Sequence, residues 1–437
     1  MRLYLVLGIA SAAMAATSPG PVTFNKNVLP ILQKNCQSCH RPGEAAPMAF
    51  LTYEQTRPWA KAIKEAVVTK RMPPWFADPA HGTWSNDRTL AQADIDALAA
   101  WADSGAKEGD KKNAPKPVAW MEGWAIGKPD LTLEMPIDFE VPASGTIEYH
   151  YVVIPTGLTE DKWVQMAEAR PGNRKLVHHI IAFVREPGSK WLQDAKPGVP
   201  FVPKAQPRSG DGQARQQRDG DGFGSQEFLV GFAPGSPPEV LKAGKAKLLK
   251  AGSDIVLQMH YTSNGTVGKD RSMVGVIWSK EPVEQRVMTS AVSNNRFVIP
   301  AGAANHVVTA TMTLHADADL VSLLPHMHLR GKSFEYRVVY PTGETEVLLK
   351  VPNYRFDWQL WYEFSAPKRI PKGSRLEVTG VFDNSANNKF NPDPAKDIRW
   401  GEQSWEEMMM GFFDVAFDVK MNPVDLFRAK KPATTGD

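Results

Sequence analysis

The sequence predicts a multidomain chain in which a small all-α domain precedes a longer all-β part built as sandwiches or jelly rolls. Three observations carry this. Residues 22–108 place apolar side chains at helical spacing. Residues 111–130, "KKNAPKPVAWMEGWAIGKPD", are charged, proline-bearing and unpatterned, as an interdomain linker is. Most of the remaining chain is short β-like runs separated by turn signals such as "PTGE". With 437 residues there is room for two or three domains, and a net charge of only +3 gives no reason to expect a nucleic-acid partner.

The first residues, "MRLYLVLGIASAAMAATSPG", join Arg2 to an apolar run and then to small residues. Ala13-Met14-Ala15 fits a signal-peptidase site with cleavage after Ala15 or Ala16, so residues 1–16 read as a signal peptide. The apolar run is shorter than the roughly 20 residues a spanning helix needs. No later stretch is long and apolar enough to span. The expectation is a periplasmic or secreted protein without stable membrane insertion.

Three amphipathic stretches fill the helical domain, 22–110. The first, "FNKNVLPILQKNCQSCH", runs into Cys36, Cys39 and His40. These are the chain's only two cysteines, and C-x-x-C-H is the pattern of covalent haem c attachment. Both thiols would add to haem vinyl groups, with His40 as proximal iron ligand. A redox dithiol or half a zinc site would need a thioredoxin-like βαβ context or further cysteines. "TYEQTRPWAKAIKEAVVTK" is the second stretch and "TLAQADIDALAAWADSGAKEGD", closed by Gly105, the third. The arrangement resembles small class I-type cytochrome c domains. The sixth iron ligand is expected to be Met72 in "KRMPPWF", where prolines hold a non-helical loop, in preference to Met48.

Beyond the linker, "GTIEYHYVVIP", "KLVHHIIAFV", "SDIVLQMHYTS", "RLEVTGVFD" and "FFDVAFDV" alternate as strands do, while the polar, Gly-rich stretch 204–226 reads as a mobile surface insertion. Five of the ten histidines fall in three β-like segments: His178 and His179 in "VHHIIAF", His260 in "LQMHYT", and His326 and His328 in "LPHMHLRGK". On a strand, His326 and His328 point to one face. Neutral imidazole suits copper, zinc, iron and nickel, and spacing does not choose among them. His81, His150, His306 and His315 read as ordinary core histidines.

"HHIIAF", "GFAPG", "QMHY", "HMHLRG" and "EEM" occur here in the order found in the copper type II, ascorbate-dependent monooxygenases, the family of peptidylglycine α-hydroxylating monooxygenase and dopamine β-monooxygenase. The chain resembles that family over about residues 130–425. The resemblance implies two consecutive jelly rolls, 131–290 and 291–428, each holding one copper beside a solvent-filled cleft. It implies that His178, His179 and His260 hold the first copper, with Gln258 matching the glutamine before the third ligand. It implies that His326, His328 and Met408 hold the second, Met408 being selected over Met409 and Met410 by the acidic pair Glu406-Glu407. Ile180 and Met327 depart from the family pattern without removing a ligand. Leu324, Met410 and Phe412 stand where the peptide-amidating member grips a terminal carboxylate with polar groups.

Two imidazoles and a thioether favour Cu(I), so the second centre is the expected oxygen-activating, catalytic one. The resulting expectation is an exported haem c-fused monooxygenase carrying two copper ions and one haem c. It would hydroxylate an sp³ carbon of an apolar small molecule with O₂. Ascorbate or a redox protein would be the reductant. The alternative is a non-enzymatic electron-transfer or copper-handling protein. A zinc hydrolase is disfavoured by the thioether.

Overall fold

The computed structural model describes residues 20–44, 46–120, 123–203, 226–233 and 237–429. The signal-peptide reading of 1–16 and nearly all of the expected surface insertion lie outside them. Of the described residues 36% are in strands and 13% in helices, so the fold is mostly β. It divides into two compact units. Among the described residues, one comprises 20–42, 46–73 and 90–118; the other comprises 43–44, 74–89 and those from 119 onward.

The first unit is helical. A π-helical turn, Phe24–Val28, leads into helix Leu29–Asn35, which ends at Cys36. Tyr53–Thr56 and Ala60–Val68 are separated by a 3₁₀ turn at Arg57–Trp59, where Pro58 has no N–H for the α-helical ladder. Helix Gln92–Asp103 is followed by Gly105 at φ 89°, a backbone conformation that favours glycine. Phe24, Val28, Leu32, Ile63, Leu98 and the fully buried Trp101 form one apolar cluster. Residues 111–118, expected to be linker, belong to this unit, and Gln33 donates to the Lys116 carbonyl at 3.0 Å.

The second unit begins earlier in the chain than a single linker would allow, because residues 74–89 belong to it. Trp75 and Trp84 pack their rings 4.8 and 5.6 Å from Tyr362. Its frame is a nine-stranded sheet. The path runs Leu131–Glu134, Met273–Trp278, Lys162–Arg170, Lys245–Leu249, Gln285–Ser293, Met410–Asp418, Ala318–His326 and Tyr362–Ile370, with Glu239–Val240 attached beside Lys162–Arg170. All pairings on the path are antiparallel except one: Gln285 and Arg286 run parallel to Lys245 and Ala246.

Two four-stranded sheets cover this frame. His150–Pro155, Asp254–Tyr261, Val177–Arg185 and Gln226–Phe232 form one. Their Val152, Ile180 and Leu257 share a core with Val164, Ala167, Val274 and Val276 of the long sheet. His306–Thr313, Arg375–Phe382, Gly331–Val339 and Thr345–Val351 form the other. Their Phe334, Tyr336, Leu349 and Val378 share a core with Leu320, Leu323, Phe413 and Val415. The result is two sheet-on-sheet halves that share one continuous sheet. The expected boundary at residue 290 falls inside strand Gln285–Ser293.

His81, His150, His306 and His315 are each half-buried, so none is the enclosed core histidine the sequence suggested. Among the described residues, no helix is long and apolar enough to cross a membrane.

Candidate metal centre

Neighbouring residues on a strand point to opposite faces, so the pair His178–His179 needs a device to face one way. The device is a bulge. Val177 pairs with Tyr261 and His179 with His260, leaving His178 as the extra residue between them. Val177 and Ile180 therefore face the core, while His178 and His179 both face away from it. His260 stands directly across from His179, two residues after Gln258 on the same face, with Leu257, Met259 and Tyr261 in the core.

The three imidazoles converge through their Nδ1 atoms, 3.3 Å from His178 to His179 and 3.2 Å from His260 to His179. Each can offer one nitrogen within 4.8 Å of the others. Burial pushes all three below the usual histidine range. The neighbouring imidazoles push His179 and His260 further down, His260 to about 3. Neutral imidazole is the form that donates a lone pair to a metal. Tyr149, which the sequence reading passed over, packs edge-on at 4.7 Å from His260 and 5.5 Å from His179.

His326 ends its strand, and the alternation runs on past it. His326 and His328 face a cavity, while Met327 between them is fully buried in the core. Their rings are 5.2 Å apart and perpendicular. His326 Nδ1 lies 2.6 Å from Gln359 Oε1, and His328 Nδ1 lies 3.3 Å from the Glu406 carbonyl. Each acceptor fixes the proton on Nδ1 and leaves Nε2 as the free lone pair, the reverse of the converging Nδ1 atoms in the three-histidine group. Burial keeps both rings below the ordinary range, His328 far below.

The partner strand, Met410–Asp418, and the residues just before it bring thioethers to the same cavity. His326 pairs with Met410 and Leu324 with Phe412, so residues of that parity face the cavity. Met408 and Met410 line it; Met409 is fully buried in the core beside Met327. Glu407 clamps the segment. Its two carboxylate oxygens accept the N–H of His328 at 2.9 Å and that of Arg330 at 2.6 Å. Burial pushes the Glu407 carboxyl up to about 8, against the pull of these N–H groups and of the Arg330 guanidinium.

His178, His179, His326, His328 and Met408 line one cavity of about 280 Å³. Gln258 lines it too, donating to the Tyr151 hydroxyl. The rest of the wall is largely aromatic, including Tyr149, Phe183, Trp191, Phe228, Trp361 and Phe412. Among the described residues, its charged lining residues are Asp357 and Glu402, with no lysine or arginine. The donor types fit copper: three neutral imidazoles in one group, and two imidazoles in the other with the Met408 thioether lining the same cavity.

In the helical unit, Cys36 and Cys39 are free thiols, and burial, aided by Cys39, pushes Cys36 up to about 12. His40 stacks on Phe50 at 4.3 Å, and its Nδ1 lies 3.2 Å from the Met48 carbonyl, which leaves Nε2 available to an iron. That donor set fits haem c attachment. Met48 packs against the same apolar cluster as Cys36. Met72 is half-buried at a cis peptide bond to Pro73.

No family model matches this chain, and no curated protein matches it. Among solved structures, the infectious bursal disease virus Gx strain and the VP2 subviral particle of that virus each match at TM-score 0.19 and 10% identity, over 68% of this chain and 74% of theirs. T=1 particles derived from the same virus match at TM-score 0.19 and 9% identity, over 69% of this chain and 72% of theirs. At that score these likenesses carry no argument about fold or function.

Proposed function

We propose that the chain is an exported, haem c-fused, copper-dependent monooxygenase that hydroxylates an sp³ carbon of an apolar, aromatic-compatible small molecule. The observation that carries this reading is that members of two unlike donor groups, His178 and His179 of one and His326, His328 and Met408 of the other, line one aromatic cavity. The reaction balances as R–H + O₂ + 2e⁻ + 2H⁺ → R–OH + H₂O. Copper at the two sets would supply one-electron storage at each, with O₂ reduction at the set containing Met408. His178, His179 and His260 hold the electron-transfer centre. His326, His328 and Met408 hold the catalytic one. Cys36, Cys39, His40 and Met72 would hold the haem, which would supply one-electron relay from ascorbate or a redox protein. The two sandwich halves are read as jelly rolls and the helical unit as a cytochrome c domain.

The aromatic wall binds and orients a flat apolar body and excludes water from the reacting carbon. Leu324, Met410 and Phe412 are packed together on this wall. Among the described residues no lysine or arginine lines the cavity to serve a carboxylate as counter-ion, which argues against a peptidylglycine-type substrate. The test is substrate-dependent O₂ uptake by copper-loaded protein across a panel of neutral aromatic and aliphatic compounds. Copper binding without uptake for any compound would favour the electron-transfer or copper-handling alternative.

Two further outcomes are expected. His178→Ala should leave the methionine-containing centre occupied, and His326→Ala should leave the three-histidine centre occupied, as read by copper content and EPR. Loss of all copper from either substitution would mean one shared centre. Cys36→Ala with Cys39→Ala should abolish haem staining that otherwise survives denaturing gels and organic extraction. Met72→Ala should weaken the low-spin ferric bands; if Met48→Ala does so instead, Met48 is the axial ligand.

A further inference from the structure

One short segment touches both histidine groups. Tyr354–Trp361 connects strand Thr345–Val351 to strand Tyr362–Ile370. Its ends are fixed. The Tyr354 hydroxyl accepts the Met327 N–H at 3.0 Å and donates to the Met327 carbonyl at 2.7 Å, gripping the residue between His326 and His328. Leu360 is buried in the core at the other end. Between them, the Phe356 ring stacks on His178 at 6.0 Å with 22° between planes. The same ring meets His328 at 6.0 Å, nearly perpendicular. Gln359 holds His326 Nδ1 at 2.6 Å.

We propose that Tyr354–Trp361 is a positioning strap shared by both metal centres, so that copper at one prepares the other, and that Phe356 is the contact carrying this coupling. The inference rests on the two-centre reading above. A metal at the three-histidine group fixes the His178 ring, and through it the stacked Phe356 ring. Phe356 in turn limits the orientations open to His328. The ordering cost of the strap falls on whichever metal binds first, and the second binds an already ordered site. By linkage the effect is reciprocal. Repulsion between the two ions works the other way, but it acts through space and survives removal of the ring. The contribution of Phe356 is therefore separable from it.

The experiment is an anaerobic Cu(I) titration of the full chain against a chromophoric chelator. It reads the affinity of the centre holding Met408 in the parent, His260→Ala, Phe356→Leu and the double variant. His260→Ala disables the first centre while keeping His178 against Phe356. The parent should bind Cu(I) at the second centre more tightly than His260→Ala does, by about five-fold or more, the lower end of usual coupling. In the Phe356→Leu background the His260→Ala change should have no such effect. Phe356→Tyr keeps the ring and should keep the coupling, which guards against a merely misfolded leucine variant. An equal effect of His260→Ala in both backgrounds, no effect in the parent, or lost coupling in Phe356→Tyr would overturn the strap. Failure of the parent to bind Cu(I) at two centres would instead overturn the two-centre reading.

Discussion

Met408→His is expected to retain near-full copper content and to lose most substrate hydroxylation. Three imidazoles are a competent copper set, so binding survives. Thioether is a soft neutral donor that favours Cu(I), and a harder nitrogen in its place shifts the balance towards Cu(II). Met409→Leu should remain active, because Met409 is fully buried in the core beside Met327 and a leucine of similar volume fits such a site at under about 1.5 kcal/mol. Met410 is the stricter control, since it shares the cavity wall with Met408. Copper content and O₂ uptake decide the matter. An active Met408→His protein with an inactive Met410→Leu protein of reduced copper content would make Met410 the sulfur ligand.

The second large effect is expected at Glu407. Glu407→Ala leaves the buried N–H groups of His328 and Arg330 without their acceptor and removes the carboxyl 4.0 Å from the Arg330 guanidinium, which keeps Asn384 and the Trp405 carbonyl as acceptors. Each buried N–H left without an acceptor costs about 1–3 kcal/mol. The thermal midpoint should drop sharply, and copper should be lost from the His326–His328 centre before the other. Glu407→Gln is the finer probe. The carboxyl sits at about 8 in the folded chain against an ordinary value of 4.5. Between those two values the folded state holds a proton that the unfolded state has released, so stability falls as pH rises through this window. The glutamine variant cannot titrate and should lack that part of the slope. Denaturant midpoints measured from pH 5 to 8.5 give the comparison; identical slopes in parent and variant would show that Glu407 stays ionised throughout.

Much of this arrangement was legible in the sequence because period-2 alternation is a local property. His326 and His328 share a face, with Met327 turned into the core, as a strand requires. The three helical stretches and the glycine after the last of them likewise follow from spacing and backbone preference. What spacing could not give was register. The bulge that turns His178 alongside His179 depends on how the strand pairs with Asp254–Tyr261, a partner some eighty residues away. Phe356, Gln359 and Tyr149 were missed for the same reason. Nothing in "NYRFDWQLW" or "TIEYHYVVIP" marks them as neighbours of histidines brought from other strands. Pattern is weakest in the stretch read as a linker, and nothing in it announces that the Ala125 N–H bonds Glu168 at 2.6 Å or that the Asp130 N–H bonds the Val276 carbonyl at 2.9 Å.

The shared sheet has a kinetic meaning. Lys245–Leu249 hands over to Gln285–Ser293 without an intervening flexible joint. The seam is pinned by the buried Lys247 ammonium, which donates to Glu239 at 2.8 Å and to Thr289 at 3.1 Å. A hinge needs a few residues free to absorb large changes in φ and ψ, and laddered strands offer none. The width of the cavity is thus a fixed dimension of the scaffold. Entry, reorientation and exit of a small molecule fall to side-chain flips and loop excursions, on nanosecond-to-microsecond timescales, and not to the slower closure of one lobe on another.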